Sequence, residues 1–412
     1  MFETHEGVSP PRVEANLRRL RALVEVARCQ SVNRAAERLH VTQSAVTRGM
    51  QALEDEVGLT LFTRSSRGMQ PTEYGELLVR RTERALAYLE AAEREVLALV
   101  AEADGRTPRT GLMHKLAQRH LQTLSALADF RTETAAALHL GVSQPAVTIA
   151  LRDLEEIVDA PLFLRTSRGM VATPAGQALT RGAKLALSEI AAAGDDLAAR
   201  LGLVGGRLVI GAQPLTGTQV APQAVVRVAG QYPHLRVTMI EASHDVLMQG
   251  LRCGDIDVVV GGLLPTAPQD IAQEPLFEDS LVVVARRGHP LARRQSLKLD
   301  DLDGAEWVLP YRRTTHRNMV DRTIAQAGLR VPDGALEANS VALVRRLLFA
   351  SDRLSVLSQR HVHGDGQDML AVLPIELPEH GLTVGILTRS DAIRTVGVET
   401  LIAHLRSSER TG

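Results

Sequence analysis

The sequence predicts a multidomain α/β chain, and three observations carry the prediction. Residues 41 to 75 recur at 142 to 176, at a constant offset of 101 and with no gap, giving 17 identities in 35 positions. A long stretch rich in Ala, Leu, Glu and Arg follows each copy. From Gly205 onward, β-rich runs such as RLVIGA, LRVTMIEA and DIDVVVGG alternate with amphipathic segments, which implies a largely parallel sheet covered on both faces.

Each copy reads locally as a helix-turn-helix. Thr42 or Ser143 stands where a helix N-cap belongs, with a side-chain oxygen suited to a free backbone N–H. Behind the cap, Ala45, Val46, Met50, Leu53 and Val57, and their counterparts Ala146, Val147, Leu151, Leu154 and Val158, recur at helical spacing and predict a core face. A short helix over 34 to 39 or 134 to 140 comes before, across a tight turn at His40-Val41 or Gly141-Val142. A longer apolar helix, over 17 to 28 or 116 to 130, precedes that one. Three short helices with a tight turn before the third form the helix-turn-helix arrangement. Downstream, Leu61-Phe62 and Leu162-Phe163 open a small hairpin. Its tip, Ser65-Ser66-Arg67-Gly68 or Thr166-Ser167-Arg168-Gly169, makes a wing that carries a cation.

These motifs are an A-A-x-x-L helix, V-[ST]-Q-[PS]-A-V-[ST], L-E, L-F-x-R and R-G-x-x-x-T-x-x-G. In combination they resemble the winged helix-turn-helix of the LysR-type transcriptional regulators. An ordinary member has one such unit, and this chain has two. The resemblance runs on to the C-terminus, where the order IGA, DIDVVVG, HPL and WVLP is similar to the family's effector domain, a two-lobed periplasmic-binding fold.

The expected organisation is a lead-in over 1–15, a first winged helix-turn-helix over 16–72, and a first linker helix over 73–104. A connection over 105–114 leads to a second winged unit over 115–173 and a second linker helix over 174–204. The effector-binding domain takes 205–412, with lobe I at about 205–285 and 388–412 and lobe II at about 286–387. The expected fold class is thus α/β multidomain: two winged helix-turn-helix domains with long linker helices, then a two-lobed periplasmic-binding-like α/β effector domain.

At 412 residues the chain has room for roughly two to four domains. Its 45% apolar content supports packed cores, while a net charge of -1 excludes a broadly basic nucleic-acid coat. The DNA reading therefore rests on pattern and on local placement of Arg. Two cysteines, Cys29 and Cys253, form no spaced cluster, as expected in a reducing compartment. No secretory leader and no run of about 18 apolar residues occurs, so the expectation is a cytoplasmic protein with no membrane partner.

Along the first linker, Leu78, Thr82, Ala85, Leu89, Ala92, Val96 and Leu99 follow the four-three alternation of a coiled-coil seam. Leu179, Ala183, Ala186, Ile190, Ala193, Leu197 and Arg200 repeat it. The family resemblance implies that such helices pair antiparallel to hold two winged units as a dimer. Here both lie on one chain. Such a helix, about 45 Å long, would bring its far end to the opposite winged unit, so an intramolecular pseudo-dimer is expected.

For DNA, the first turn of the third helix presents Gln43, Ser44, Thr47 and Arg48, with Arg67 on the wing. The second copy presents Gln144, Pro145 and Thr148, with Arg168 on its wing. Gln reads adenine through paired hydrogen bonds, and Arg reads guanine or holds a phosphate. Ile149 stands in place of Arg48, so the second reader is expected to bind more weakly or to tolerate more sequences; the bland reading is a scaffold that touches no DNA. For an effector, the loops after strands offer Pro214, Thr216 and Thr218, then Gly262, then Arg312 and Thr314, then Ser340. There hydroxyls, free N–H groups and a guanidinium suit a carboxylate or sugar oxygen. A helix cap or a solvated loop is the bland account of each one.

Other chemistry is thin. His361-x-His363-x-Asp365 offers ligand types but no organised set for zinc, and Gly261-Gly262 lacks a dinucleotide fingerprint. No metal and no cofactor is expected. The leading expectation is a ligand-responsive, sequence-specific transcription regulator without catalysis, a homo-oligomer answering to a sugar or an aromatic or organic acid. A small-molecule-binding protein with a vestigial DNA module is the alternative, and an enzyme on the two-lobed fold ranks last.

Overall fold

Each copy of the repeat folds as three helices and a two-stranded hairpin. The computed structural model describes residues 10–412 other than 67, 105–110, 215–219, 313–314, 329–333, 339, 364–369, 378–381 and 409–412. The first copy comprises α1 (Leu17–Cys29), α2 (Val32–Arg38), α3 (Gln43–Val57), β1 (Phe62–Ser65), β2 (Gly68–Pro71) and then the long α4 (Glu73–Asp104). The second comprises α5 (Gln118–Phe130), α6 (Glu133–Leu140), α7 (Gln144–Val158), β3 (Phe163–Thr166), β4 (Gly169–Ala172) and α8 (Pro174–Arg200).

Helices α1, α2, α3, α6 and α8 start at polar caps. Asn16, Ser31, Thr42, Thr132 and Thr173 each accept a backbone N–H of the first turn, which satisfies a donor no helix can satisfy internally. Ser143 sits at the expected cap but makes no side-chain bond: its backbone carbonyl takes the Ala146 N–H at 3.0 Å instead, and Pro145 has no N–H to offer. On α3, Val46, Met50, Leu53 and Val57 are buried as expected. Ala45 and Ala146, expected on the core face, are exposed, because the first turn projects beyond the core.

The long helices cross-pair. Arg81 Nε donates to Asp196 Oδ2 and Nη1 to Glu189 Oε2, each at 2.8 Å, while Arg181 pairs Glu95 and Arg200 Nη2 lies 3.7 Å from Glu73. Early residues of α4 meet late residues of α8, so the pair is antiparallel. The seam residues from Leu78 to Val96 and from Leu179 to Leu197 are buried; at the ends, Val100 is buried in place of Leu99 and Arg200 is exposed. Midway, a Cβ on Gly182 would fall 2.5 Å from the Ala92 Cβ, so the helices touch there at glycine distance.

The cores confirm the exchange of helix ends. Ala193 and Leu197 of α8 pack with Leu23, Val46 and Leu53 of the first winged unit. Their counterparts Ala92 and Val96 of α4 pack with Leu124, Val147 and Leu154 of the second.

The second unit, Arg207–Arg252 with Ile256–Gly412, contains sheets of five, three and two strands among the described residues. The segments β5 (Gly205–Ala212), α9 (Ala221–Gln231), β6 (His234–Glu241), α10 (His244–Cys253), β7 (Val258–Gly262) and β8 (Ile271–Asp279) begin it. With β14 they form a five-stranded sheet in the order β6-β5-β7-β14-β8. Leu208 and Ile210 face α9 and α14, and Val209 faces α10, so β5 is apolar on both sides as a covered parallel strand must be.

The rest is β9 (Leu281–Arg286), β10 (Val308–Pro310), α11 (Thr315–Gln326), β11 (Leu336–Ala338), α12 (Val341–Phe349), β12 (Ser355–Ser358), α13 (Gln359–His363), β13 (Leu370–Val372), β14 (Leu382–Arg389) and α14 (Val396–Ser408). Strand β9 lies between β12 and β13, and β10 pairs with β11 in parallel. The chain therefore leaves the five-stranded sheet at Ser280, a few residues ahead of the boundary expected at about 285. Asp279 ends β8 opposite Leu382, and Leu281 already pairs with Ser358. The return precedes Leu382, ahead of the boundary expected at about 387, since all of β14 belongs to the five-stranded sheet.

Two outcomes test this packing. Arg81 is 1% exposed and Glu189 3%, so Arg81→Ala strands a buried carboxylate and should destabilise the first unit by about 3 kcal/mol in urea unfolding. Adding Glu189→Ala should recover part of the loss. Separately, burial, with Arg119 nearby, lowers the pKa of His120 although Asp153 opposes the shift, and its Nδ1 accepts the Ala117 N–H at 3.2 Å. The folded ring stays neutral where the unfolded ring protonates. Stability is therefore full above the unfolded value of about 6.5 and falls as pH drops through it. The urea midpoint should drop between about pH 7.5 and about pH 5.5, and drop less in His120→Gln.

Candidate nucleic-acid interface and effector site

The first reader is open. Gln43, Ser44, Thr47 and Arg48 are all exposed on the first turns of α3, on the side away from Val46 and Met50. A tight turn sets this helix: His40 takes a left-handed φ of 53°, and the Val41 N–H returns to the Ala36 carbonyl at 3.0 Å. The wing is anchored as well as paired. Met69 N–H bonds the Gln30 carbonyl at 2.9 Å, and a Cβ on Gly68 would fall 2.3 Å from that same oxygen, which explains the glycine after the wing arginine. The second wing repeats this with Met170, Arg131 and Gly169. Arg67 lies outside the described residues; Arg168 is exposed.

The second reader is occupied. Its Gln144 is exposed and Thr148 half-buried, but Gln144 Nε2 donates to Glu133 Oε2 at 3.1 Å, Thr148 Oγ1 to the same oxygen at 3.2 Å, and Arg165 Nη2 to Oε1 at 2.7 Å. Pro145 is exposed at the start of α7. Glu133 itself is buried at the start of α6. The first copy has Val32 at the matching position, and there Arg64 has no acidic partner among the described residues. Sequence reasoning missed Glu133, because an acid in a helix's first turn reads as an ordinary complement to the helix dipole.

In the effector domain, the structure brings the sequence-selected residues together in two pairs. Pro214 follows β5 and Gly262, expected in the loop, is instead the last residue of β7, which runs parallel to β5; Gln213 joins them, its Oε1 accepting the Gly262 N–H at 3.0 Å. Gln213 Nε2 lies 2.8 Å from His244 Nδ1. An amide nitrogen only donates, so Nδ1 accepts and the ring is neutral with its proton on Nε2. Burial, the largest influence, pushes the His244 pKa down and favours that form. Arg312 and Ser340 follow β10 and β11, where the Tyr311 N–H bonds the Ala338 carbonyl at 3.1 Å.

Arg312 is exposed and engages Glu337 through Nε at 2.5 Å, and Arg317 reaches the same carboxylate, so that guanidinium is not held in reserve for a ligand. Ser340 caps α12 by position without a side-chain bond. Thr216, Thr218, Arg313, Thr314, Asn339 and Asp365 lie outside the described residues. Gln213 and His244 were legible only as residues at strand ends; nothing in their spacing joins them. Elsewhere, His289 is structural, taking the Leu291 N–H at 3.1 Å and meeting the Asp352 carbonyl at 3.1 Å. Among the described residues no cluster fits a metal ion, and no single helix is long and apolar enough to cross a membrane.

Two helix-turn-helix readers ahead of a two-lobed ligand domain define a class of regulator, and comparison with known proteins agrees. Residues 17–76 and 118–177 each match the bacterial regulatory helix-turn-helix protein family of lysR type, and residues 202–410 match the LysR substrate binding domain. The chain belongs to the LysR family of transcriptional regulators. It is 36% identical over 393 residues to the HTH-type transcriptional regulator GalR of Pseudomonas putida, covering 95% of this chain and 96% of the relative. That alignment is too complete to omit either winged unit. The regulator PcaQ of Agrobacterium fabrum is 29% identical over 294 residues, covering 70% of this chain and 94% of its own. Among solved structures, a full-length OxyR variant of Pseudomonas aeruginosa has a TM-score of 0.55 at 21% identity, covering 72% of this chain and 98% of that one. Full-length CbnR in complex with its target DNA has a TM-score of 0.51 at 23% identity, covering 70% and 99%. These two establish the fold.

Glu133→Val, which restores the first copy's residue, should release Arg165 and raise affinity for duplex DNA. Fluorescence anisotropy across salt concentrations should then show a slope steeper by about 0.9 for the added phosphate contact.

Proposed function

We propose that one chain reads both halves of a promoter site, with α3 and α7 as paired readers and the α4–α8 pair as the intramolecular clamp. The observation that supports this most directly is the exchange of helix ends, which gives each winged unit a core completed by the other copy's linker. Base reading falls to Gln43, Ser44, Thr47 and Arg48 in the first unit and to Gln144, Pro145 and Thr148 in the second. Arg67 and Arg168 hold phosphates from the wings.

A small oxygen-rich effector, a sugar or an organic or aromatic acid, binds beside Pro214, Thr216, Thr218 and Gly262 and the loops at Thr314 and Ser340, next to Arg312, whose guanidinium stays with Glu337, with Gln213 and His244 as fixed polar partners. Ligand crevices of open α/β sheets sit at such strand ends. The regulator works by binding alone, in the cytoplasm, without cofactor or membrane, and self-associates through its effector domain.

A second reading has its own support: Glu133 ties up three polar groups of the second reader, as it would in a unit that serves mainly as a scaffold. Footprinting on duplexes selected from a random library separates the two. A paired site protected at one chain per two half-sites supports the tandem reading; a single protected half-site supports the scaffold. Arg48→Ala should cost about 1 to 3 kcal/mol at one half-site only, and Arg168→Ala should flatten the salt slope by about 1. Binding that needs one chain per half-site would overturn the tandem reading.

A further inference from the structure

The two readers differ at one exposed position in a way that changes what they recognise. Helices α3 and α7 have 15 residues each, begin one residue after the cap, and bury the same Val46 and Val147, so Arg48 and Ile149 occupy one position on equal helices. Arg48 is exposed and Ile149 is 59% exposed. An exposed isoleucine is unremarkable on most surfaces. This one follows Thr148 and lies a turn beyond Gln144, on the part of a recognition helix that meets base edges when the motif docks in the major groove. Base edges there offer one apolar group, the thymine 5-methyl, whereas an arginine pairs the O6 and N7 of guanine.

We propose that Ile149 is a specificity determinant that packs on a thymine methyl, so the chain's operator is a deliberately unequal pair: guanine opposite Arg48 in one half, thymine at the matching place in the other. The inference rests on the tandem reading above. Glu133 adds to it. An ionised carboxylate only accepts, so it draws the amide nitrogen of Gln144 and the hydroxyl proton of Thr148 toward itself. Gln144 is thereby committed through its nitrogen, while in the first copy Val32 stands where Glu133 would, and Gln43 has no acidic partner among the described residues. The two halves diverge over adjacent positions in the same direction, away from cationic and paired polar reading.

The test is selection of bound sites from a random duplex library by the full chain, followed by single-atom substitution. Wild type should enrich two half-sites with guanine in one and thymine in the other. Replacing that thymine by deoxyuridine, which removes only the methyl, should weaken binding about fourfold. Ile149→Arg should select guanine in both halves and bind the deoxyuridine duplex no worse than the thymine one; Ile149→Ala, harmless to folding at an exposed site, should lose the methyl effect alone.

A symmetric wild-type motif, or no effect of deoxyuridine, overturns the inference and leaves the tandem reading intact. Enrichment of a single half-site overturns both. Should Ile149→Arg leave the selected sequence unchanged and instead lower the mass of the assembly in sedimentation, the residue is a protein contact and the inference falls.

Discussion

Arg81 is the interaction on which the DNA-binding unit depends. A guanidinium that is 1% exposed is held by Glu189 and Asp196 of the opposing helix, and the two carboxylates outweigh the burial that would by itself lower its pKa, which ends above the usual value. The copy-two counterpart of Arg81 is Gly182, and the counterparts of its two acids are Tyr88 and Glu95. Pairing α4 with another α4 would therefore bury two arginines, each facing a tyrosine and one acid. Pairing α8 with another α8 would oppose buried acids to glycine. Only α4 with α8 gives Arg81 both of its acids. Buried ion pairs contribute little net stability, but losing one partner is strongly destabilising, and that asymmetry makes them effective at choosing a partner and a register.

The glycine matters as much as the charge. Where Arg81 fills one pole of the seam, Gly182 empties the other, and the Ala92 and Tyr88 backbones close in. A seam rich in alanine then lets each helix carry its last turns into the far winged unit. The readers are consequently fixed to one body by their cores as well as by a tether.

Much of this was legible in the chain itself. The repeat, the cap at Thr42, the apolar spacing of Val46 to Val57 and the β-rich run RLVIGA are local signals, and local signals survive in one dimension. What was not legible depends on partners distant in sequence. Arg81 reads as a surface cation on an Arg-rich helix because its acids lie 108 and 115 residues away. Glu133 reads as a first-turn acid, and its hold on Gln144, Thr148 and Arg165 appears only once three elements meet. Gln213 and His244 belong to different strand ends. The lobe crossing was misplaced by a few residues because β8 and β9 are separated by Ser280 alone, and hydrophobic pattern does not mark which sheet a strand joins.

A duplication within one chain frees substitutions that a homodimer forbids. In a symmetric dimer each change appears twice, so a carboxylate under one recognition helix would lie under both, and an arginine at one pole of the seam would meet its own copy at the other. Here Val32 and Glu133, Arg48 and Ile149, and Arg81 and Gly182 differ between copies at matched positions, while the wing glycines Gly68 and Gly169 and the core valines do not. The shared set supports the backbone and the divergent set touches either a partner helix or the reading face. The interior asymmetry is therefore what permits the exterior one: once α4 pairs with α8 of the same chain, a change on one recognition helix is not repeated on the other.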